Sequence, residues 1–360
     1  MLLLALLSCK ADSDKIPDKS IDYSAPGPWT PARRNSLLDD TARDRSLSIE
    51  IWYPSDAEAG TGSSILDFIA SDTERASYAA LLEAAPPDCP SHSTQALVNA
   101  PLAFGDPWPL IALSHCSGCT RFSTAQLAEH LASYGFVVVA PDHAGNTLFD
   151  TLAGTGLPLN AETLTLREAD LGFALDAALN GDLEVAVDPA RVGVLGHSFG
   201  AVTAALLLQN RLGDSGAPLT GMFIGAPPEN PLLPGVQMER LRAPLLFEVL
   251  TEDHSIGLAG NFLIQSNYEA APGPAWWVEM ADAGHWSPSD LVGLTEDFMP
   301  GCGEDSREAT GENFAYLPPS EGKALTASIA AAFFSRYLNG ATEAEAWLKA
   351  APEGLNIENH

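Results

Sequence analysis

The sequence predicts an α/β fold, a mostly parallel central sheet with helices on both faces. Three observations carry this. Short runs dominated by apolar residues, such as PLIALSH (109–115), FVVVAPD (136–142) and PLLFEVL (244–250), have the length and composition of strands buried on both sides. Stretches of helical period stand between them, as in TRFSTAQLAEHLASYG (120–135). Strand–helix alternation of this kind is what parallel strands need, because each must be joined to the next by a crossover.

Taken in order, RSLSIEIWYP (45–54) alternates apolar and polar residues and predicts an antiparallel strand. SSILDFIASDTERASYAALLEAA (63–85) has helical spacing but no strand beside it, which marks an insertion. The 109–115 strand, a helix over 120–135 ending at Gly135, and the 136–142 strand follow. TLTLREADLGFALDAALN (163–180) predicts a helix, RVGVLG (191–196) a strand and AVTAALLLQN (201–210) a helix. Three more strands are expected at TGMFIGA (220–226), PLLFEVL and AWWVEMA (275–281), then a closing helix at ALTASIAAAFFSRYL (324–338).

No composition break divides residues 36–345, which read as one domain with a helical insertion at about 63–95. Residues 1–9 form an apolar leader, 10–35 a polar tether and 346–360 a C-terminal tail. The leader MLLLALLSC resembles the end of a lipoprotein signal, with Cys9 as the lipidated residue. No run approaches the ~20 apolar residues needed to span a bilayer. The expectation is an exported protein, periplasmic or cell-surface if anchored through Cys9 and secreted otherwise. The formal net charge of −29 argues against nucleic acid and anionic lipid as partners, since both demand clustered lysine and arginine. With Cys9 set aside, Cys89, Cys116, Cys119 and Cys302 remain, an even number consistent with two disulfides of open connectivity. Zinc is a weak reading, because the second pair has no Cys-x-x-Cys spacing.

LGHSFGA (195–201) raises the chemistry. A glycine-flanked serine is a common turn, but here a strand leads into it and a helix leaves it. That geometry lifts the Ser198 hydroxyl above the sheet edge, and Gly196 and Gly200 remove the side chains that would collide. A serine needs a base, and on such a turn the partners follow in the order acid, then histidine. Of the downstream histidines, His360 is terminal and His254 adjoins Asp253, which leaves His285 in ADAGHWS behind an apolar strand. The acid is expected at a strand end, and Asp253 in LTEDHS is preferred, with Glu252 as the competitor one residue away. The backbone N–H of Phe199 supplies one oxyanion donor, and the loop SHCSGCT (114–120) the other.

With these segments the chain resembles the α/β-hydrolase superfamily, and within it the bacterial predicted dienelactone hydrolases that are similar to platelet-activating-factor acetylhydrolases. IEIWYP, LSHCSGCTRFS, LASYGFVVVAPDHAGNT, LREADLGFALD, VLGHSFGA, AGHWSPSDL and AAFFSRYL carry the resemblance over most of residues 47–340. In that family the first loop reads Ser-His-Gly-x-Gly and the x residue donates its amide, which implies Ser117 here. Cys116 stands where the first glycine is usual, and a bridge to Cys119, Cys89 or Cys302 is open to it. The acetylhydrolase acid follows an earlier strand, but that place reads FIGAPPEN without an aspartate, which favours Asp253.

The expected activity is serine carboxylic-ester hydrolysis through an acyl-enzyme, with no metal or organic cofactor. The expected substrates are apolar or amphipathic esters: lipid, short acyl or polyester. Trp286, Phe122 and Phe149 are the candidates for an aromatic substrate cleft. Two other readings compete. One is a catalytically silent exported lipoprotein that uses the fold for ligand binding. The other is a thiol–disulfide protein acting through Cys116 and Cys119.

Overall fold

The computed structural model describes residues 21–360; the apolar leader and Cys9 lie outside them. Twelve strands are present among the described residues: β1 (Thr30–Asp40), β2 (Arg45–Ser55), β3 (Leu97–Val98), β4 (Trp108–Ser114), β5 (Val137–Pro141), β6 (Val187–His197), β7 (Thr220–Ile224), β8 (Leu245–Leu250), β9 (Ala275–Met280), β10 (Glu304–Ser306), β11 (Asn313–Ala315) and β12 (Leu355–Asn359). The helices are α1 (Asp72–Ala84), α2 (Ala125–Ser133), α3 (Leu148–Leu152), α4 (Ala161–Asn180), α5 (Phe199–Asn210), α6 (Gly257–Ala270), α7 (Pro319–Leu338) and α8 (Thr342–Lys349).

Ten strands form one sheet in the order β12-β9-β8-β7-β6-β4-β5-β2-β1-β3, and β10 pairs with β11 separately. The six strands from β5 to β9 are mutually parallel, whereas β2 joins β5 antiparallel and β12 joins β9 antiparallel. Period-two alternation decides which side chain faces which layer. Along β4, Ile111 and Leu113 enter the core covered by α2, α7 and α8, and Leu110 and Ala112 enter the one covered by α4, α5 and α6. The chain leaves β4 toward β5 on one side and returns to β6 on the other. This reversal opens a crevice at the carboxyl ends of β4 and β6, where ligands meet open parallel sheets.

Two sequence boundaries move. The stretch read as a tether to residue 35 is already in β1 from Thr30, paired antiparallel with β2. Tyr23 is buried against the Tyr134 ring at 5.1 Å, so residues just before β1 also pack on α2 rather than trailing from it. The stretch read as a tail contains β12, and His360 is held rather than frayed, its N–H donating to the Ala275 carbonyl at 3.0 Å. The alternation of Leu355 and Ile357 carried that signal, but edge strands are too polar to announce themselves. The insertion is packed into the core through Ile65, Phe68, Ile69 and Tyr78, with α1 on its outer side.

Two disulfides close the open connectivity. Cys89 of the insertion pairs with Cys302, 213 residues away, and Cys116 pairs with Cys119.

One strand carries a pH liability. Glu248 of β8 is fully buried and accepts from the Thr326 hydroxyl at 2.5 Å. Burial pushes its carboxyl up to about 7 from the usual 4.5. The fold therefore favours the neutral acid, and its contribution is complete below about pH 4.5 and lost as pH rises through about 7. Fully ionising it costs on the order of 3 kcal/mol. Urea unfolding midpoints are expected to fall between pH 5.5 and 8.5, and to fall less in Glu248→Gln; equal slopes in both proteins would contradict this.

Candidate active site

β6 ends at His197, and the chain turns into α5 through Ser198, whose φ of 57° and ψ of −124° are outside the regions a serine ordinarily occupies. Such strain persists only where the surroundings impose it. Here the Ser198 N–H donates to the Ile224 carbonyl of β7 at 2.8 Å, and its own carbonyl accepts from Ala201. The flanking glycines are there for close approach. A Cβ at Gly196 would overlap the Gly200 carbonyl, and one at Gly200 would overlap the Ser114 carbonyl at the end of β4. Both obstacles are main chain and cannot swing aside. Gly200→Ala is expected to cost about 3 kcal/mol or more, read as a lowered Tm or loss of soluble protein. An unchanged Tm would show that β4 and the turn are not in contact.

His285 reaches this turn from the loop after β9, and Asp253 from the loop after β8. His285 Nε2 is 2.8 Å from Ser198 Oγ, and His285 Nδ1 is 2.6 Å from Asp253 Oδ2. A carboxylate only accepts, so Nδ1 carries the proton in that bond and Nε2 is left to accept from the serine hydroxyl. Asp253 is fixed in turn, because its Oδ1 accepts from the Ser255 and Ile256 backbone N–H groups at 3.0 and 3.1 Å. Glu252 points elsewhere: Arg307 donates to its Oε1 at 2.5 Å. Both Asp253 and His285 are buried, which strengthens the bond between them relative to water.

A second histidine supports the first. His197 Nε2 donates to the His285 carbonyl at 2.9 Å, and its ring lies 5.1 Å from the His285 ring. Burial pushes the His197 imidazole down to about 3, so it is neutral and adds no competing charge. Trp286 packs edge-on to His285 at 4.8 Å and to Phe298 at 4.4 Å.

Opposite Ser198 is the loop after β4. The N–H groups of Phe199 and Ser117 donate to no other protein group among the described residues. For Phe199 this follows from its place in the first turn of α5, where amides have no intrahelical partner. Cys116, where the resemblance places a glycine, needs no left-handed backbone; Gly118 does, at φ 64°. The Cys116–Cys119 bridge encloses Ser117, and the loop is tied to the chain after β5: Gly118 N–H donates to the Asn146 carbonyl at 3.2 Å, and Asn146 Nδ2 donates to Ser117 Oγ at 3.1 Å. Both sulfurs of this bridge are fully buried, which leaves no approach for the external thiolate that would have to open it in thiol–disulfide exchange.

A cleft of about 730 Å³ adjoins this loop, lined among others by Ser117, Leu148, Leu152, Leu157, Trp286 and Phe298, with Glu296 and Asp297 at one side. No residue of the 63–95 insertion lines it. Of the three aromatic candidates, Trp286 lines this cleft and Phe122 and Phe149 do not. Phe122 is completely buried, stacked on Phe68 at 5.0 Å, because the turn before α2 aims it into the core. Phe149 packs against the same core, while its neighbours on α3, Leu148, Thr151 and Leu152, face the cleft.

Sequence reading overlooked a buried polar group under the loop. Arg167 and Asp170 lie on the apolar face of α4, among Leu164, Leu171 and Ala174. Asp170 meets Arg43 and Arg45, each at 2.8 Å, and His143, while Arg167 reaches the loop itself. Two charged residues on an otherwise apolar helical stripe were the signal.

A serine raised at the C-terminal end of a mostly parallel sheet, with a histidine and a carboxylate from later strand ends, defines the class: the fold is the α/β-hydrolase fold. A ferulic acid esterase from Streptomyces cinnamoneus superposes with a TM-score of 0.63 at 22% identity, covering 89% of this chain and 94% of that one. Within this class the chain is similar to the platelet-activating-factor acetylhydrolases. The family model described as platelet-activating factor acetylhydrolase, isoform II, matches residues 35–154. The bovine platelet-activating factor acetylhydrolase (Bos taurus) is 26% identical over 153 residues, a match covering 31% of this chain and about a third, 34%, of that protein. The family-model match spans the loop after β4 and ends before Ser198, Asp253 and His285.

Proposed function

We propose that the protein is a serine carboxylic-ester hydrolase that works through an acyl-enzyme. The observation that carries the reading is the continuous relay from Ser198 Oγ through His285 to Asp253, at 2.8 and 2.6 Å. Ser198 attacks the ester carbonyl while His285 Nε2 takes its proton, and Asp253 holds the tautomer and stabilises the imidazolium. The oxyanion forms against the Phe199 and Ser117 N–H groups. His285 returns the proton to the leaving alkoxide, then activates the water that frees the acid. The related protein's name, an acetylhydrolase, and that of the structural neighbour, an esterase, both support ester cleavage.

The cleft supports a neutral, apolar group beside the scissile bond. Leucines and two aromatic residues wall it, and Glu296 and Asp297 at its side, in a chain of net charge −29, repel anions. Neutral p-nitrophenyl acyl esters are therefore expected to give at least ~10-fold higher kcat/KM than the p-nitrophenyl hemisuccinate, with the gap narrowing at high salt. Equal rates, or a preference for the anion, would sink this assignment; no turnover of any ester would sink the larger one. Export belongs to the same proposal, because two disulfides are kept in oxidising compartments.

A further inference from the structure

Arg167 is among the largest fully buried side chains of the protein, and no carboxylate pairs with its guanidinium among the described residues. The nearest acid on its own helix, Asp170, is already met by Arg43 and Arg45. A buried, unpaired charge is costly, so its surroundings should show what it is held against. They are the two walls of the oxyanion pocket. Arg167 donates to the main-chain carbonyls of His115 and, at 3.4 Å, Cys116. It also donates to Asn146 Oδ1, and Asn146 in turn donates to Ser117 Oγ. On the other wall its guanidinium lies 4.6 Å from the centre of the Phe199 ring. Its Nε donates at 3.2 Å to the Thr203 hydroxyl, which donates at 2.9 Å to the Phe199 carbonyl.

The Cys116 carbonyl and the Ser117 N–H belong to one planar trans peptide and point in opposite directions. Donors that seize the carbonyl therefore fix the aim of the N–H and draw electron density from it. His115 Nδ1 does this at 2.7 Å, and Arg167 adds a full positive charge from the same side. We infer that Arg167 is a positioning residue for the oxyanion pocket: it holds the Ser117 peptide and the first turn of α5 in register, and its buried charge favours the anionic tetrahedral intermediate. It touches no substrate. Its interactions strengthen when negative charge develops in front of the two amides, which is the differential effect that speeds a reaction.

This inference rests on the ester-hydrolase reading, and its test is arranged to separate the two. Arg167→Met, Arg167→Lys and the near-isosteric Thr203→Val are compared with wild type on a soluble neutral p-nitrophenyl ester. Each is also titrated with a phenylboronic acid, whose serine adduct places an anionic oxygen in the pocket. Folding is followed by thermal unfolding. Arg167→Met is expected to lower kcat about 100-fold with KM within about threefold, and to weaken the boronate by a similar factor. Arg167→Lys recovers part of both, because the charge returns without the fork. Thr203→Val loses about 3- to 10-fold, since only one anchor goes. Wild-type kcat in folded Arg167→Met overturns the inference, and so does a loss of kcat with unchanged boronate affinity, the mark of a merely structural role. If neither Arg167 variant folds, Thr203→Val decides, and unchanged kcat and boronate affinity there overturn it. If wild type turns over no ester, or Ser198→Ala turns it over at the wild-type rate, the hydrolase reading has failed and this one falls with it; Ser198→Ala inactive beside unaffected Arg167 variants sinks this inference alone.

Discussion

Ser198→Ala is expected to lower kcat on a neutral p-nitrophenyl ester by about a millionfold with KM little changed, the largest effect of any single substitution in the protein. The size follows from what the side chain does. Without Oγ there is no acyl-enzyme, and the relay of His285 and Asp253 has no proton to move. A residue of ~1,000-fold catalysis over water should survive, because the Ser117 and Phe199 amides would still meet an oxyanion formed by direct attack of water. Stability is expected to stay or rise. Alanine is no more at home at φ 57° than serine, but the turn is held by the backbone bond to Ile224, which the substitution leaves in place. A steady-state assay with active-site titration checks this, and turnover within tenfold of wild type would remove Ser198 from the mechanism.

Asp253→Asn is expected to come next, at about 10,000-fold in kcat. The amide is the same size and accepts from the same Ser255 and Ile256 N–H groups, so the loop should keep its shape. What changes is the partner of His285 Nδ1. An amide nitrogen facing Nδ1 donates rather than accepts, which moves the imidazole proton to Nε2 and removes the base from Ser198. The neighbouring acid supplies the control. Glu252→Gln breaks the pair with Arg307, whose side chain is one-third exposed, at a cost of about 0–1 kcal/mol of stability, and should leave kcat near wild type. If the two variants exchanged effects, the loop after β8 would be one residue out of register.

The parts of this molecule that were legible in the sequence are those whose burial is periodic. β4 alternates its side chains between two cores, and α5 is apolar almost all round because it is buried almost all round, so both announce themselves. The serine turn was legible because steric contact demands glycine at Gly196 and Gly200, and the strand and helix on either side are unambiguous. His285 and Asp253 could be picked out from their places just behind β9 and β8. Other features depend on contacts between distant segments. The Cys89–Cys302 bridge joins residues 213 apart, and nothing local distinguishes that pairing from the alternatives. Phe122 and Phe149 sit after strand ends, as cleft residues do, but the direction of a side chain in a turn is decided by the core beneath it. β1 and β12 are half-exposed strands in which polar residues hide the alternation.

The central claim is that Ser198 is a nucleophile poised by His285 and Asp253. The most direct measurement is labelling of the folded protein with a fluorophosphonate, followed by intact mass and peptide mapping, since the probe reacts only with an activated hydroxyl. The account predicts one adduct per chain, on the peptide carrying Ser198, abolished in Ser198→Ala and strongly slowed in Asp253→Asn. A folded wild-type protein that takes up no label, or takes it on another residue, would contradict it.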